Sequence, residues 1–132
     1  MLVEWSLGCV ERYSWNGQCL VPREPPWRPE WGLPPVNYGL IPGYYNPADQ
    51  DTLDAIWASN EPIPAGSWLE GQVLGMLWVR DGDHKIILGE PQGLQKLDLE
   101  GLWRWFEGRQ PRLAKAEEAE AFMRTLPSEP RP

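Results

Sequence analysis

Up to about residue 88 the chain carries short apolar runs and period-two alternation punctuated by glycine and proline; from residue 98 onward the spacing becomes helical. Residues 2 to 21 read as strands, with Asn16-Gly17 marking a hairpin turn between Cys9–Tyr13 and Gln18–Val21. A turn of two residues, or three with a bulge, puts Cys19 opposite Ser14 or Arg12 and leaves Cys9 on the other face, so no disulfide joins the two cysteines. Residues 54 to 58 and 68 to 80 read as further strands, the second broken by Gly71 and Gly75, which suit bends or bulges. The loop Arg80–Lys85 then turns back into Ile86-Ile87-Leu88.

Asp98 can cap a short helix with Leu99, Leu102, Trp103 and Phe106 on one face, stopped by Gly108. A second helix is predicted from Pro111 to about Leu126, with Ala116, Ala119, Phe122, Met123 and Leu126 as its docking stripe and Glu117, Glu118 and Glu120 facing water. Residues 128 to 132 read as a frayed tail. The patterning therefore predicts one domain, residues 1 to 127, mainly β with two helices (α+β).

Residues 22 to 36 are rich in proline and include Trp27 and Trp31, which predicts an extended, semi-rigid crossing segment with few backbone donors for a sheet. The alternative for this run is a polyproline ligand for an SH3-like partner. The chain has 132 residues, 42% of them hydrophobic and nine of them tryptophan, enough for one folded core. No apolar run approaches the ~18 residues of a membrane span, and no secretory leader is evident, so a cytoplasmic, membrane-free protein is expected. Two free thiols fit a reducing compartment. A net charge of −7 argues against nucleic-acid binding, and an acidic protein can hold a polyanion only where metals or a few local cations invert the field.

The candidate chemistry begins at Asp49-Gln50-Asp51-Thr52-Leu53-Asp54, three carboxylates at i, i+2 and i+5 with no basic residue among them. Like charges this close raise one another's pKa unless a hard divalent cation holds them ionised. A metal site is the sharper reading, a solvated acidic turn the plainer one. An EF-hand is excluded, because Asp54 and Asn60 stand where that loop requires Gly and Glu. With His84 as the single histidine, a Cys/His zinc site is improbable.

The block Pro35-Val36-Asn37-Tyr38-Gly39, the DxDxxD acids, Pro62–Ser67 leading into Gly71–Leu77, and Asp83-His84-Lys85 follow one another in the order found in the soluble family I inorganic pyrophosphatases, which this chain resembles over roughly half its length. Gln50 and Thr52 depart from the family's usual small residue and proline, and neither is a ligand position. The resemblance implies a five-stranded OB-like closed β-barrel with two helices, with a site at the barrel mouth. It implies magnesium-dependent hydrolysis of pyrophosphate to two phosphates, with two or more Mg2+ ions. Asp49, Asp54 and Asp83 would hold a first ion, with Asp54 shared with a second. Asp81 and Asp83, and more distantly Glu4 and Glu11, would serve further ions. Asp51 would be the general base and Tyr38 would orient nucleophile and phosphate. Arg23, Lys85 and Arg109, together with Glu11 and Tyr38, fall to the substrate side.

Several phosphate-side positions depart from the family. Its hairpin lysine falls on Cys9, its second tyrosine on Pro34, and its Tyr-Lys pair on Arg109 and Gln110. The strand that family members carry between their two helices is absent from the pattern read here. Two other functions therefore stand beside pyrophosphate hydrolysis: a metal-dependent hydrolase of another phosphoanhydride, and a non-catalytic binding or subunit-interaction module on the same fold. A homo-oligomer is the assembly the family implies.

Overall fold

The computed structural model describes residues 1–23 and 32–129. The expected extended segment at 22 to 36, including Trp27 and Trp31, lies mostly outside the described residues. Among the described residues there are eight strands: β1 (Leu2–Trp5), β2 (Arg12–Trp15), β3 (Leu20–Arg23), β4 (Asn37–Asn46), β5 (Asp51–Trp57), β6 (Gln72–Trp78), β7 (Lys85–Gly89) and β8 (Arg112–Lys115). The described residues also form two α-helices, α1 (Leu99–Trp105) and α2 (Ala116–Thr125), and a short 3-10 turn at Gly93–Lys96. No described helix is long and apolar enough to cross a membrane.

The strands form one sheet in the order β3-β2-β1-β4-β5-β7-β6-β8. Among the described residues only β5 and β7 pair in parallel; the other ladders are antiparallel. The chain is thus mainly β with two helices, but the five-stranded closed barrel expected from the resemblance is not what forms. The sheet has eight strands, and its two ends, β3 and β8, do not pair with each other. β3 carries Pro22, which has no N–H to extend a ladder, and β8 presents the exposed charges of Arg112 and Lys115. Where β1 approaches the segment entering β6, the two are joined by a Leu2–Trp68 bridge and by backbone hydrogen bonds of Met1 with Leu69 and of Val3 with residues 66 and 67.

Period-two alternation distributes side chains between two cores. β5 sends Leu53 and Trp57 to one side with Met76, Ile86 and Leu88, and this side is covered by α2 through Ala119, Phe122 and Met123. It sends Ile56 to the other with Leu77 and Ile87, where α1 docks Leu102 and the following Phe106. Asp54 and Lys85, alternating with Leu53 and Ile86, consequently face the α1 side. The predicted cap holds, since the Asp98 carboxylate accepts from the Gly101 amide at 2.9 Å.

Several local expectations are corrected. The hairpin turn is longer than two or three residues: Trp15 pairs with Leu20, and residues 16 to 19 form the loop. The Asn16 side chain stabilises it by accepting from the amides of Gln18 and Cys19 at 2.8 and 2.9 Å. Cys19 therefore lies in the loop, opposite neither Ser14 nor Arg12, and both cysteines are free thiols. β4, the longest of the described strands, runs through Pro42-Gly43, and a register shift between Ile41 and Tyr45 absorbs them as a bulge. The strand between the helices is present as β8, so α2 begins at Ala116 rather than at Pro111. Gln110, at a φ of 52°, redirects the chain, and residues 112 to 115 take up the free edge of β6. Gly75 permits this, because a Cβ there would lie 2.7 Å from the Ala114 carbonyl oxygen. The first two residues of the expected frayed tail are bonded: Ser128 bridges Tyr44, and the Glu129 amide and carboxylate both bond to the Gly43 backbone. Residues 130 to 132 of that expectation lie outside the described residues.

Candidate active site

The site lies on the α1 side of the sheet, in a cavity of about 410 Å³ lined from β1, β2, β3, β4 and β5, the 81–85 loop and the end of α1. The Asn37-Tyr38-Gly39 segment of β4 forms its floor, and each residue has a separate task. Asn37 is fully buried and staples three chain segments, accepting from the Leu7 and Ile63 amides at 2.9 Å each and donating to the Glu61 carbonyl at 3.0 Å. Gly39 lets β1 approach, since a Cβ there would sit 1.8 Å from the Leu2 carbonyl oxygen. Tyr38, between them, stands among Trp5, Trp105 and Phe106 at ring-centroid distances of 6.1, 6.3 and 6.4 Å. Its hydroxyl oxygen is buried and has no hydrogen-bond partner among the described residues. Burial, reinforced by the Asp54 charge, pushes this hydroxyl well above its ordinary pKa, so it is available as a donor.

Two loops bring the acids together. Asp49 sits in the β4–β5 turn, Asp51 and Asp54 on β5, and Asp83 just before β7. Asn46 ties the loops to each other, accepting from the Ala48 amide at 3.0 Å and donating to the Gly82 carbonyl at 3.3 Å. One carboxylate oxygen from each of Asp49, Asp54 and Asp83 falls within 4.8 Å of the others. The Asp83 Oδ1 is buried without a partner among the described residues. Burial, then the nearby charges of Asp83 and Asp54, pushes Asp49 up to about 7. Asp54 rises to about 6, again chiefly through burial, against the opposing pull of Lys85. Burial also raises Asp83, but Lys85 and hydrogen bonds from Asp54 and Asp49 outweigh it and hold Asp83 below the usual carboxylate range. Asp49 and Asp54, raised in this way, hold protons they would give up to a hard cation, and with Asp83 they form an all-oxygen donor set that suits Mg2+. The orphaned Asp83 Oδ1 supplies a vacant coordination point, so the residues fit a divalent ion.

Cations ring the acids. Lys85 Nζ lies between Asp54 and Asp83 at 2.9 and 2.8 Å. Arg109 forks onto Asp81 through Nε and Nη2 and reaches Asp83 at 3.2 Å. Arg12 and Arg23 pair directly across the β2–β3 ladder and both line the cavity. Arg12 is held with its guanidinium 4.9 Å above the Trp5 ring.

The Asp49, Asp54 and Asp83 cluster sits inside a sequence block that decides the relationship. A family profile described as inorganic pyrophosphatase matches residues 26–93, just over half the chain. The chain belongs to the inorganic pyrophosphatase family. An inorganic pyrophosphatase of Haemophilus influenzae is 31% identical over 83 residues, 61% of this chain but 47% of that protein, so the chain spans about half the length of the curated relative it matches. The fold is shared more widely. The inorganic pyrophosphatase of Neisseria gonorrhoeae superposes with a TM-score of 0.71 at 22% identity, covering 94% of this chain and 86% of that one. That of Coxiella burnetii gives 0.74 at 17% identity, covering 95% and 90%.

With the pyrophosphatase pattern laid on the structure, the expected residues separate into three groups. Glu4, Arg23, Tyr38, Asp49, Asp51, Asp54, Asp83, Lys85 and Arg109 line one cavity. Glu4 is partly committed, its Oε2 accepting from the Trp15 amide at 2.7 Å, and burial lifts it to about 6. Asp81 stands at the rim, its carboxylate turned to Arg109. Glu11 is not in the site: with Cys9 it borders a separate depression lined also by Ser6, Tyr13 and Leu20. Strand alternation is the reason. The first hairpin strand starts at Arg12, so Arg12 and Ser14 face the cavity, where Cys9 and Glu11 had been aligned to the family's lysine and glutamate. Arg12 was missed, and its signal was available: an arginine followed by period-two alternation into the Asn16-Gly17 loop, matching Arg23 at the far end of the return strand.

Proposed function

We propose that the chain hydrolyses inorganic pyrophosphate to two phosphates with Mg2+ as its cofactor. The convergence of Asp49, Asp54 and Asp83 around the unpartnered Asp83 Oδ1, in a chain of this family, carries the reading. Magnesium held there would supply charge neutralisation and an acidified water. The protein's own groups do the rest. Asp51, at the cavity edge, accepts a proton from the attacking water as general base, and its Oδ1 is oriented by the Thr52 amide at 2.8 Å. Tyr38 keeps its proton and donates a hydrogen bond from its hydroxyl to a phosphate oxygen or to the nucleophile. Arg12 and Arg23 form a cationic wall for the terminal phosphate, and Arg109 and Lys85 face it across the cavity to compensate charge developing on the leaving phosphate. Arg12 thus restores the hairpin cation that the sequence alignment put in doubt at Cys9.

Phosphate release from pyrophosphate across a Mg2+ titration tests the proposal, with Asp51→Asn as the control. Saturable, Mg2+-dependent release that falls by about 10²-fold or more in the variant is expected. Absence of release at saturating Mg2+ from a folded protein would overturn it.

A further inference from the structure

We propose that Arg109 stands in for a metal ion at the Asp81–Asp83 pair, so that this chain binds one divalent cation fewer than its carboxylates could hold. The proposal rests on the reading that the acidic cluster binds divalent cations. It concerns how many it binds, and which residue of this chain sets that number.

The backbone around Arg109 is fixed. Its amide donates to the Phe106 carbonyl at 3.0 Å and its carbonyl accepts from the Arg80 amide at 2.9 Å. Gly108 and Gln110 on either side take positive φ values of 90° and 52°. These constraints launch the side chain across the 81–83 loop, with the guanidinium 5.3 Å above the Phe106 ring. There it bridges two carboxylates at i and i+2, as a chelated cation would. Nη2 reaches both oxygens of Asp81 at 3.1 and 3.0 Å and Asp83 Oδ2 at 3.2 Å, while Nε reaches Asp81 Oδ2 at 3.2 Å. Both Asp81 oxygens are spent, and Asp81 is not among the three acids that converge. Asp83 gives Oδ2 to Arg109 and Lys85 together, which leaves Oδ1 for the central cluster.

An arginine in this place supplies a permanent single charge in a planar fork and needs no loading from solution. The cluster then retains a metal-ligand set of Asp49, Asp54 and Asp83, and Asp81 serves to position Arg109.

Mn2+ binding in the absence of pyrophosphate, followed through the paramagnetic resonance signal of the free ion, tests this on the folded chain. Arg109→Gln is expected to bind one more Mn2+ per chain than the wild type, and Arg109→Gln with Asp81→Asn to lose that extra ion. Asp81→Asn alone, which keeps the Arg109 charge and the Asp49, Asp54 and Asp83 ligand set, is expected to keep the wild-type count. An unchanged count in a folded Arg109→Gln, or the loss of one ion in Asp81→Asn, would overturn the proposal while leaving the metal reading in place. No Mn2+ bound by the wild type or by either single variant would overturn both.

Discussion

Arg12 stands directly opposite Arg23 on the β2–β3 ladder, two guanidinium groups in register on the wall of one cavity. Like charges placed so weaken a ladder by a few tenths of a kcal/mol to about 1 kcal/mol. Burial pushes the pKa of Arg12 down, and Arg23 pushes it further. An anion bound between them would relieve that repulsion. Arg12→Gln is accordingly expected to leave folding stability unchanged, or to raise it by up to about 1 kcal/mol, while lowering kcat/KM for pyrophosphate by roughly 10- to 100-fold through loss of a charge-assisted hydrogen bond. Urea denaturation and steady-state kinetics on the same preparation measure the two effects, which have opposite signs.

The titration of the acids sets a pH dependence whose sign reverses with metal. Burial raises Asp49 to about 7 and Asp54 and Glu4 to about 6. Between the unfolded carboxylate range, about 4, and these values the folded state binds more protons than the unfolded one. Their contribution to stability is therefore complete below pH ~4 and is lost as the pH rises through about 6 to 7. Asp81 and Asp83, both lowered, act oppositely: their contribution is present above pH ~4 and lost in stronger acid. In EDTA, Tm is expected to fall from about pH 5 to about pH 8, whereas the Tm gain from saturating Mg2+ should grow over that interval because the ion selects the ionised acids. Asp49→Asn should flatten both trends. Thermal melts across pH, with and without Mg2+, check this.

Asn46, 2% exposed, joins the two acid-bearing loops through Ala48 and Gly82. Asn46→Ala would remove both hydrogen bonds and leave the Ala48 amide and the Gly82 carbonyl to water, at a cost of about 1 kcal/mol. Its metal affinity is expected to fall although every ligand remains, because the Asp49 and Asp83 loops would no longer be tied. Calorimetric titration with Mg2+ beside a denaturation curve separates the two losses.

Gly39→Ala places a methyl group against the Leu2 carbonyl oxygen, where backbone meets backbone and neither side can yield as a side-chain tip would. Separation of β1 from β4 should cost on the order of 3 kcal/mol or more. Loss of the cooperative melt, or of soluble expression, is the expected outcome.

What the sequence made legible was local. The three acids of the 49–54 run, Tyr38, and the Asp83–Lys85 pair are set by short stretches whose spacing survives folding, and all lie in one cavity. The α1 cap at Asp98 is equally local. The errors came where a register or an edge decides. Hairpin strands of four residues carry too little alternation to fix their own frame, so the turn was made too short and Glu11 was placed where Arg12 and Ser14 belong. β8 is extended because β6 offers it an open edge across the sheet, which no pattern within residues 112 to 115 reveals. The closed five-stranded barrel failed for a similar reason: whether two ends meet is a property of the whole sheet, and here the terminal strands β3 and β8 do not pair with each other.

The parallel pairing of β5 with β7 has a kinetic consequence. Asp54 and Lys85 are 31 residues apart in sequence and meet only once β7, entered through the β6–β7 hairpin, has been laid alongside β5. Contacts of such separation close late, because the loop entropy must be spent before they form. The acids on the 49–54 segment can collect an ion early, but Asp83 and Lys85 arrive with the last long-range step. During refolding, recovery of tight Mg2+ binding should therefore trail the return of tryptophan fluorescence from the β1–β4 half of the sheet, which makes the metal site a reporter of completed topology.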